Sequence, residues 1–264
     1  MDTKADAPIL ELRRISKRFG AVQALTAVNF EVYSSEVVGL VGDNGAGKST
    51  LVKIIAGTYR ADSGDYLFGG KPVVINNPRE AASLGIRTVY QDLALCDNLD
   101  VVANLYLGRE DATPLAPGGF GLIDEIEMER KAAEFVQELH VKIPSLRVRV
   151  ASLSGGQRQS VAVARAVMSD SRVLLLDEPT AALGVEQTHQ VKELITRLRE
   201  KGLGVVVISH NLADVFDVSD RIVVLRLGKR VADFVTHASN PSEVVAAITG
   251  ALFGGSEATG GGQG

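Results

Sequence analysis

The 264-residue chain has one cysteine, no excess of basic residues, no long uninterrupted apolar run and no internal repeat. A single thiol, Cys96, excludes an internal disulfide and points to a reducing compartment. Lys and Arg number 28 against 32 Asp and Glu, a formal net charge of −4. That balance disfavours a general nucleic-acid-binding surface while leaving room for a local basic patch. No segment reaches the roughly 18 uncharged residues that a bilayer crossing takes, and the opening MDTKADAP lacks a signal-peptide core. The expectation is a cytoplasmic chain whose membrane role, if it has one, comes through a partner. His140, His189 and His237 stand apart from any Cys or carboxylate cluster, so no zinc site is expected.

What is present is a sizeable apolar fraction, 45%, enough for one large domain or a core with a smaller satellite. The first eight residues read as a frayed leader, and the Gly-rich stretch from Phe253 as a tail that need not fold. Ile9 to Ile15 and Ala27 to Val32 read as strands, and Val37 to Val41 as a short apolar strand ending at a glycine turn. Ser49 to Ile55 follows as a helix stopped near Gly57. Tyr66 to Ile75 reads as a hairpin about Gly69-Gly70, Pro78 to Leu84 as a short helix, and Ile86 to Tyr90 as a strand. From Asp92 to about Met168 the signals turn helical: Leu99 to Leu107, Ile126 to Leu139, and a helix opening at Ser154, with a loop over Pro114 to Gly121. Alternation then returns. Val173 to Leu176 and Val205 to Ser209 read as strands, Val185 to Glu200 as a helix, Asp220 to Phe234 as a hairpin, and Ser242 to Thr249 as a last helix. Continuous β-branched runs such as Val205 to Ile208 suit parallel strands covered on both faces.

Gly42-Asp43-Asn44-Gly45-Ala46-Gly47-Lys48-Ser49-Thr50 fits GxxxxGK[ST] at every fixed position, between a strand and a helix. The glycines let backbone N–H groups converge on phosphate oxygens, and the helix adds the positive end of its dipole. Lys48 is expected to reach the β and γ phosphates and Ser49 to ligate Mg²⁺. Asp177 and Glu178 end the apolar run Val173 to Leu176, where α/β sites collect. Asp177 is placed to hold Mg²⁺ through a water, and Glu178 to polarise the attacking water. Two adjacent acids at a strand end are common on any surface; the phosphate motif is what makes this pair informative.

Gln91 and His210 also end apolar strands. Gln91 can ligate Mg²⁺ or hold water, and His210 can hydrogen-bond a γ-phosphate oxygen; either alone is better read as a polar strand cap, and their shared position at strand ends around one nucleotide turns the reading to function. Leu153-Ser154-Gly155-Gly156-Gln157 has the elements of a helix N-cap with bare N–H groups, a second anion-binding end. Lying far downstream of the phosphate motif, it is expected to sit away from its own chain's nucleotide and to cover the γ-phosphate of a twofold mate. An ordinary glycine-containing cap is the alternative. Phe19 can stack on adenine or be a core phenylalanine.

Together these residues resemble the ABC transporter ATPases, an α/β class: a P-loop NTPase core with a mainly parallel sheet, an N-terminal antiparallel β region and an inserted helical subdomain. The resemblance implies one ATPase domain over residues 9–252, the helical subdomain at about 92–168, and flexible termini at 1–8 and 253–264. It makes Gly42 to Ser49 the Walker A loop, Gln91 the Q-loop, Leu153 to Gln157 the signature, Val173 to Asp177 Walker B with catalytic Glu178, and His210 the switch histidine. It implies ATP and Mg²⁺ as cofactors. The stretches Val89 to Leu99 and Asn104 to Glu110 are similar to monosaccharide importers of the ribose, xylose and fructose type. That likeness implies a homodimer on transmembrane permease subunits at the cytoplasmic face of the inner membrane, fed by a periplasmic or extracellular sugar-binding protein. An ATPase of a soluble assembly or regulatory system, or a subunit for a non-sugar transporter, is the alternative. One departure stands out: Gly184 occupies a position where the wider family usually has an aspartate that helps couple the two sites.

Overall fold

The computed structural model describes residues 7–110, 112–114 and 121–251. The terminal stretches read as flexible lie almost wholly outside these, as does the middle of the loop from Pro114 to Gly121. β1 (Leu10–Phe19) and β2 (Val22–Val32) pair antiparallel and bury Leu10, Leu12, Ile15, Leu25, Val28, Phe30 and Val32. Both strands run further than their sequence pattern indicates, because bulges break the alternation: Arg14 and Ala27 hold left-handed backbone where the register shifts. β3 (Val37–Val41) is buried at every position and delivers the chain to α1 (Lys48–Ile55). β4 (Ser63–Phe68) and β5 (Lys71–Pro72) complete a four-stranded antiparallel sheet in the order β2-β1-β4-β5. α2 (Pro78–Ser83) is capped by the Asn77 side chain, which accepts the Glu80 N–H at 3.0 Å, and leads to β6 (Ile86–Val89).

The next stretch holds α3 (Val101–Tyr106), α4 (Glu125–Glu138) and α5 (Gly155–Val167), with a small hairpin, β7 (Ala112–Pro114) and β8 (Gly121–Ile123), that the sequence reading does not anticipate. β9 (Val173–Asp177), α6 (Val185–Glu200), β10 (Gly204–Ile208), β11 (Arg221–Arg226), β12 (Lys229–Val235) and α8 (Pro241–Thr249) follow as expected. α7 (Leu212–Val218) is an additional short helix.

The main sheet has the order β12-β11-β3-β10-β9-β6 and is parallel except for the last hairpin. Its register places Leu40 beside Ile208, Ile208 beside Asp177, and Val89 beside Leu176. The carboxyl ends of β3, β10, β9 and β6 therefore finish level, which is why four motifs scattered over more than 160 residues meet at one edge. One face of this sheet packs with the antiparallel sheet and α1. The other face shares a single apolar cluster with α3, α4, α5 and α6, so the described residues of the helical stretch form no separate core. Each fully buried Leu or Val in these clusters contributes about 1.5–3 kcal/mol.

Candidate functional site

The phosphate loop leaves β3 at Gly42, whose φ is +147°, and a Cβ there would lie 2.1 Å from the Leu225 carbonyl of β11. The turn after β11 also props the loop from behind, its Gly228 N–H donating to the Ala46 carbonyl at 3.0 Å. Ala46 is buried, Asn44, Gly45 and Ser49 are exposed, and Gly47 starts α1 with Lys48, Ser49 and Thr50 in the first turn. Lys48 Nζ donates to the Gly42 carbonyl at 2.6 Å and the Asp43 carbonyl at 3.1 Å. Burial lowers the Lys48 pKa, against the opposing charges of Glu178, Asp43 and Asp177, so the ammonium lies within electrostatic reach of both acids.

At the end of β9, burial raises the Asp177 carboxyl above the usual carboxylate range, and the charge of Glu178 adds to this, while Lys53 and Lys48 pull the other way. Glu178 sits at φ +51°, a left-handed conformation that turns its side chain back toward β10 and costs on the order of 1–3 kcal/mol. What holds it there is a set of bonds to the end of β10. Its N–H donates to the Ile208 carbonyl at 2.8 Å. Its Oε1 accepts the His210 N–H at 3.2 Å and His210 Nδ1–H at 2.9 Å, and its Oε2 accepts Ser209 Oγ–H at 3.3 Å. The His210 side chain is 78% exposed and that of Glu178 only 18%, so the acid anchors the ring while the rest of the imidazole faces outward.

The network runs further than the sequence reading goes. Ser209 Oγ accepts the Asn211 N–H, Asn211 Nδ2 donates to Asp214 Oδ2 at 2.8 Å, and Thr180 Oγ1 donates to the same oxygen at 2.8 Å. Lys192 neutralises Asp214 from α6 at 2.5 Å. Asp214 thus ties the turn after Glu178 to the turn after His210. The one signal it leaves in the sequence is an acid four residues after His210, on a helix too short to show periodicity.

Gln91 is exposed, two residues beyond β6. It borders a cleft of about 480 Å³ together with Glu178, Arg158, Leu183 and Gly155. Gly155 and Glu178 of one chain therefore face the same cleft, whereas no residue of the phosphate loop lines it. Ser154 caps α5 in a reciprocal pair: its Oγ accepts the Gln157 N–H at 3.3 Å and its N–H donates to Gln157 Oε1 at 2.9 Å. The Gln157 side chain is thus engaged within the turn. A Cβ on Gly156 would lie 2.8 Å from Gln187 Cβ, and one on Gly155 2.9 Å from Leu183 Cδ2. The two glycines let α5 start in contact with the start of α6, a packing role that spacing alone does not reveal.

Phe19 is 41% exposed, so it is a surface aromatic and not part of the core. Its ring meets Tyr59 edge to face at 5.2 Å, with Lys17 Nζ 5.4 Å from its centre. Gly184 caps α6 without a side-chain acceptor.

The sequence profile of the ABC transporter family matches residues 25–181. The xylose/arabinose import ATP-binding protein of Sulfolobus acidocaldarius is 44% identical over 246 residues, 93% of this chain and 96% of that one. The fructose import ATP-binding protein of Rhizobium meliloti is 45% identical, covering 94% and 96%. A ribose import ATP-binding protein of Escherichia coli O157:H7 is 42% identical over 92% of this chain, which spans 47% of that longer protein. Among solved structures, a nucleotide-free ATP-binding cassette from an ABC transporter superposes with a TM-score of 0.75 at 26% identity, covering 91% of this chain and 98% of the other. A bacterial ABC transporter cassette solved as a dimer gives 0.70 at 25%, covering 86% and 98%. With the phosphate loop, the Ser154 turn and the paired acids all inside the matched region, this chain belongs to the ABC transporter family and is one of its ATP-binding ATPase cassettes.

Proposed function

We propose that this chain powers import of a monosaccharide through a membrane permease, with two copies sharing two composite ATP sites. The observation that carries the sugar assignment is the identity of 44–45%, over more than nine-tenths of the chain, to ATP-binding proteins named for xylose/arabinose and fructose import. No described helix is long and apolar enough to cross a membrane, so the permease supplies the bilayer crossing. The cassette then docks at the inner membrane's cytoplasmic face, with the helical stretch over about 92–168 turned toward the permease. A sugar-binding protein on the far side delivers the cargo.

Each chain grips the ATP phosphates with the backbone of Gly42 to Gly47 and with Lys48, whose bonds to the Gly42 and Asp43 carbonyls are exchanged for phosphate oxygens. Phe19 offers its exposed face to the adenine. Ser49, Gln91 and Asp177 supply a hydroxyl, an amide carbonyl and a carboxylate, a hard-oxygen donor set that fits Mg²⁺. The raised Asp177 pKa reports a carboxylate whose burial asks for a counter-charge. Held by these three side chains, Mg²⁺ would supply neutralisation of phosphate charge. Glu178, oriented by Ser209 and His210, holds the attacking water and accepts its proton; His210 directs its exposed edge at the γ-phosphate. Ser154, Gly155 and Gly156 of the mate add N–H and hydroxyl donors at the far side of that phosphate, with Gln157 bracing the turn. Closure around ATP drives the permease, and hydrolysis resets it.

Mixing a Lys48→Ala chain with a Ser154→Ala chain tests the shared site. Heterodimers keep one composite site free of either change and recover hydrolysis that neither homodimer has. Full activity of the wild type as a dilute monomer would overturn the sharing. Copurification of a permease, and the pentose or hexose that stimulates ATPase activity in that complex, tests the transport assignment.

A further inference from the structure

The loop that follows Gln91 is held by backbone hydrogen bonds from Val150 and Ala151 to the Leu99 and Asp97 carbonyls, by the packing of Leu93 and Leu95, and by two side chains. At its far end the fully buried Asn104 of α3 accepts the Cys96 N–H at 2.7 Å and donates to the carbonyls of Cys96 and Asp100 at 3.0 and 2.9 Å. At its near end Arg165, in the last turn of α5, donates through Nη1 to the Ala94 carbonyl at 2.7 Å and through Nη2 to the Leu93 carbonyl at 3.2 Å. Ala94 has φ +47°, a left-handed conformation that a residue with a Cβ adopts at a cost. Its N–H folds back onto the carbonyl and the side chain of Asp92, making the turn tight. The same turn of α5 is braced by Arg109, which donates to the Arg165 and Leu105 carbonyls at 2.9 and 3.0 Å and to Ser169 Oγ at 2.5 Å.

These contacts make α5 a lever. The Ser154 turn is at one end, and Arg165 is eleven residues on, roughly 16 Å along the helix. A charged guanidinium making two hydrogen bonds to carbonyls is a stiff link, stronger than a neutral contact of the same size. A shift of the Ser154 turn along α5 would therefore reach the backbone two and three residues after Gln91.

We propose that Arg165 is a positioning residue for ATP hydrolysis: its grip on the Leu93 and Ala94 carbonyls holds the strained Ala94 turn and links the Gln91 loop to the position of the Ser154 turn. This rests on the reading that the Ser154 turn engages ATP. Arg165 itself touches no reacting atom, so its loss acts on kcat and not on ATP capture by the phosphate loop.

The test compares Arg165→Met, Arg165→Lys and Arg165→Met combined with Ala94→Gly in the full chain. In Arg165→Met, kcat is expected to fall about tenfold while the KM for ATP stays within about twofold, and amide hydrogen exchange of the 91–100 segment quickens. Arg165→Lys, which keeps one charged donor, falls in between. Glycine at position 94 adopts positive φ without strain, so the double variant recovers a substantial part of the lost rate. A merely structural role for Arg165 instead makes the rescue follow a rise in Tm, with Ala94→Gly alone raising Tm to the same extent and leaving kcat unchanged. Unchanged kcat and exchange in Arg165→Met, or a loss that Ala94→Gly leaves untouched, overturns the proposal with the ATPase reading intact. A wild-type dimer insensitive to Ser154→Ala overturns the reading beneath it instead.

Discussion

The phosphate loop after β3 and the Ser154 turn before α5 are both glycine-rich helix starts, yet they are held by different means. The phosphate loop carries its own cation: Lys48 folds over it onto the Gly42 and Asp43 carbonyls and feels the charges of Glu178 and Asp177. The Ser154 turn is closed by neutral bonds between Ser154 and Gln157 and set rigidly against Leu183 and Gln187 through its two glycines. The first can grip an anion by itself. The second is a shaped turn with no cation of its own, and the proposed function gives its donors to a site that another element has already filled, the division of labour that two shared sites would require.

Several substitutions sharpen or break this contrast. Glu178→Gln keeps the shape of the acid and removes the proton acceptor, so hydrolysis falls by about 100-fold or more, and phosphate-release assays with sizing find an ATP-held dimer. A variant that hydrolyses at the normal rate removes Glu178 from the base role. Gly156→Ala drives a Cβ to 2.8 Å from Gln187 and destabilises the fold by about 1–3 kcal/mol, read by chemical denaturation. An unchanged midpoint shows that the α5–α6 contact gives way easily.

Asp177→Asn separates stability from activity. The Asp177 pKa is raised in the folded state, so its ionised form disfavours folding above that pKa and exerts no penalty once protonated at low pH. The variant is expected to raise the Tm of the nucleotide-free chain at pH 7, with a gain that shrinks as pH falls through the raised pKa, while losing metal-dependent hydrolysis. A gain that stays constant with pH assigns the effect to something other than ionisation. The smallest effect is Gly184→Asp. Gly184 has extended backbone and nothing within 4 Å of a Cβ, so aspartate caps α6 and adds roughly a few tenths of a kcal/mol, seen as a slight rise in Tm.

Much of the fold was legible because its signals are local. α6 runs from Val185 to Glu200 as its spacing indicates, and β3, β9 and β10 are the apolar runs the eye finds first. β1 and β2 were harder, since Arg14 and Ala27 take left-handed backbone at bulges and upset the two-residue rhythm. α7 escaped because seven residues make barely two turns, and Asn211, its cap, sits next to a histidine that reads as chemistry. In the site, the Walker residues, Glu178 and His210 stand out by type and position. Ser209, Thr180, Asp214 and Arg165 do not, because each acts through a partner 31 to 72 positions away.

The sequence by itself determined which chemical groups are present and which strand each one ends, because strand length, glycine spacing and apolar runs are properties of neighbouring residues. Only the tertiary structure decided that Glu178 bends back onto His210, that Phe19 lies at the surface, that Gly155 and Gly156 are packing positions, and that Arg165 holds the loop after Gln91. Those outcomes depend on the register of parallel strands and the approach of helices distant in the chain, and such distances are set by packing of the whole core and not by any local stretch of residues.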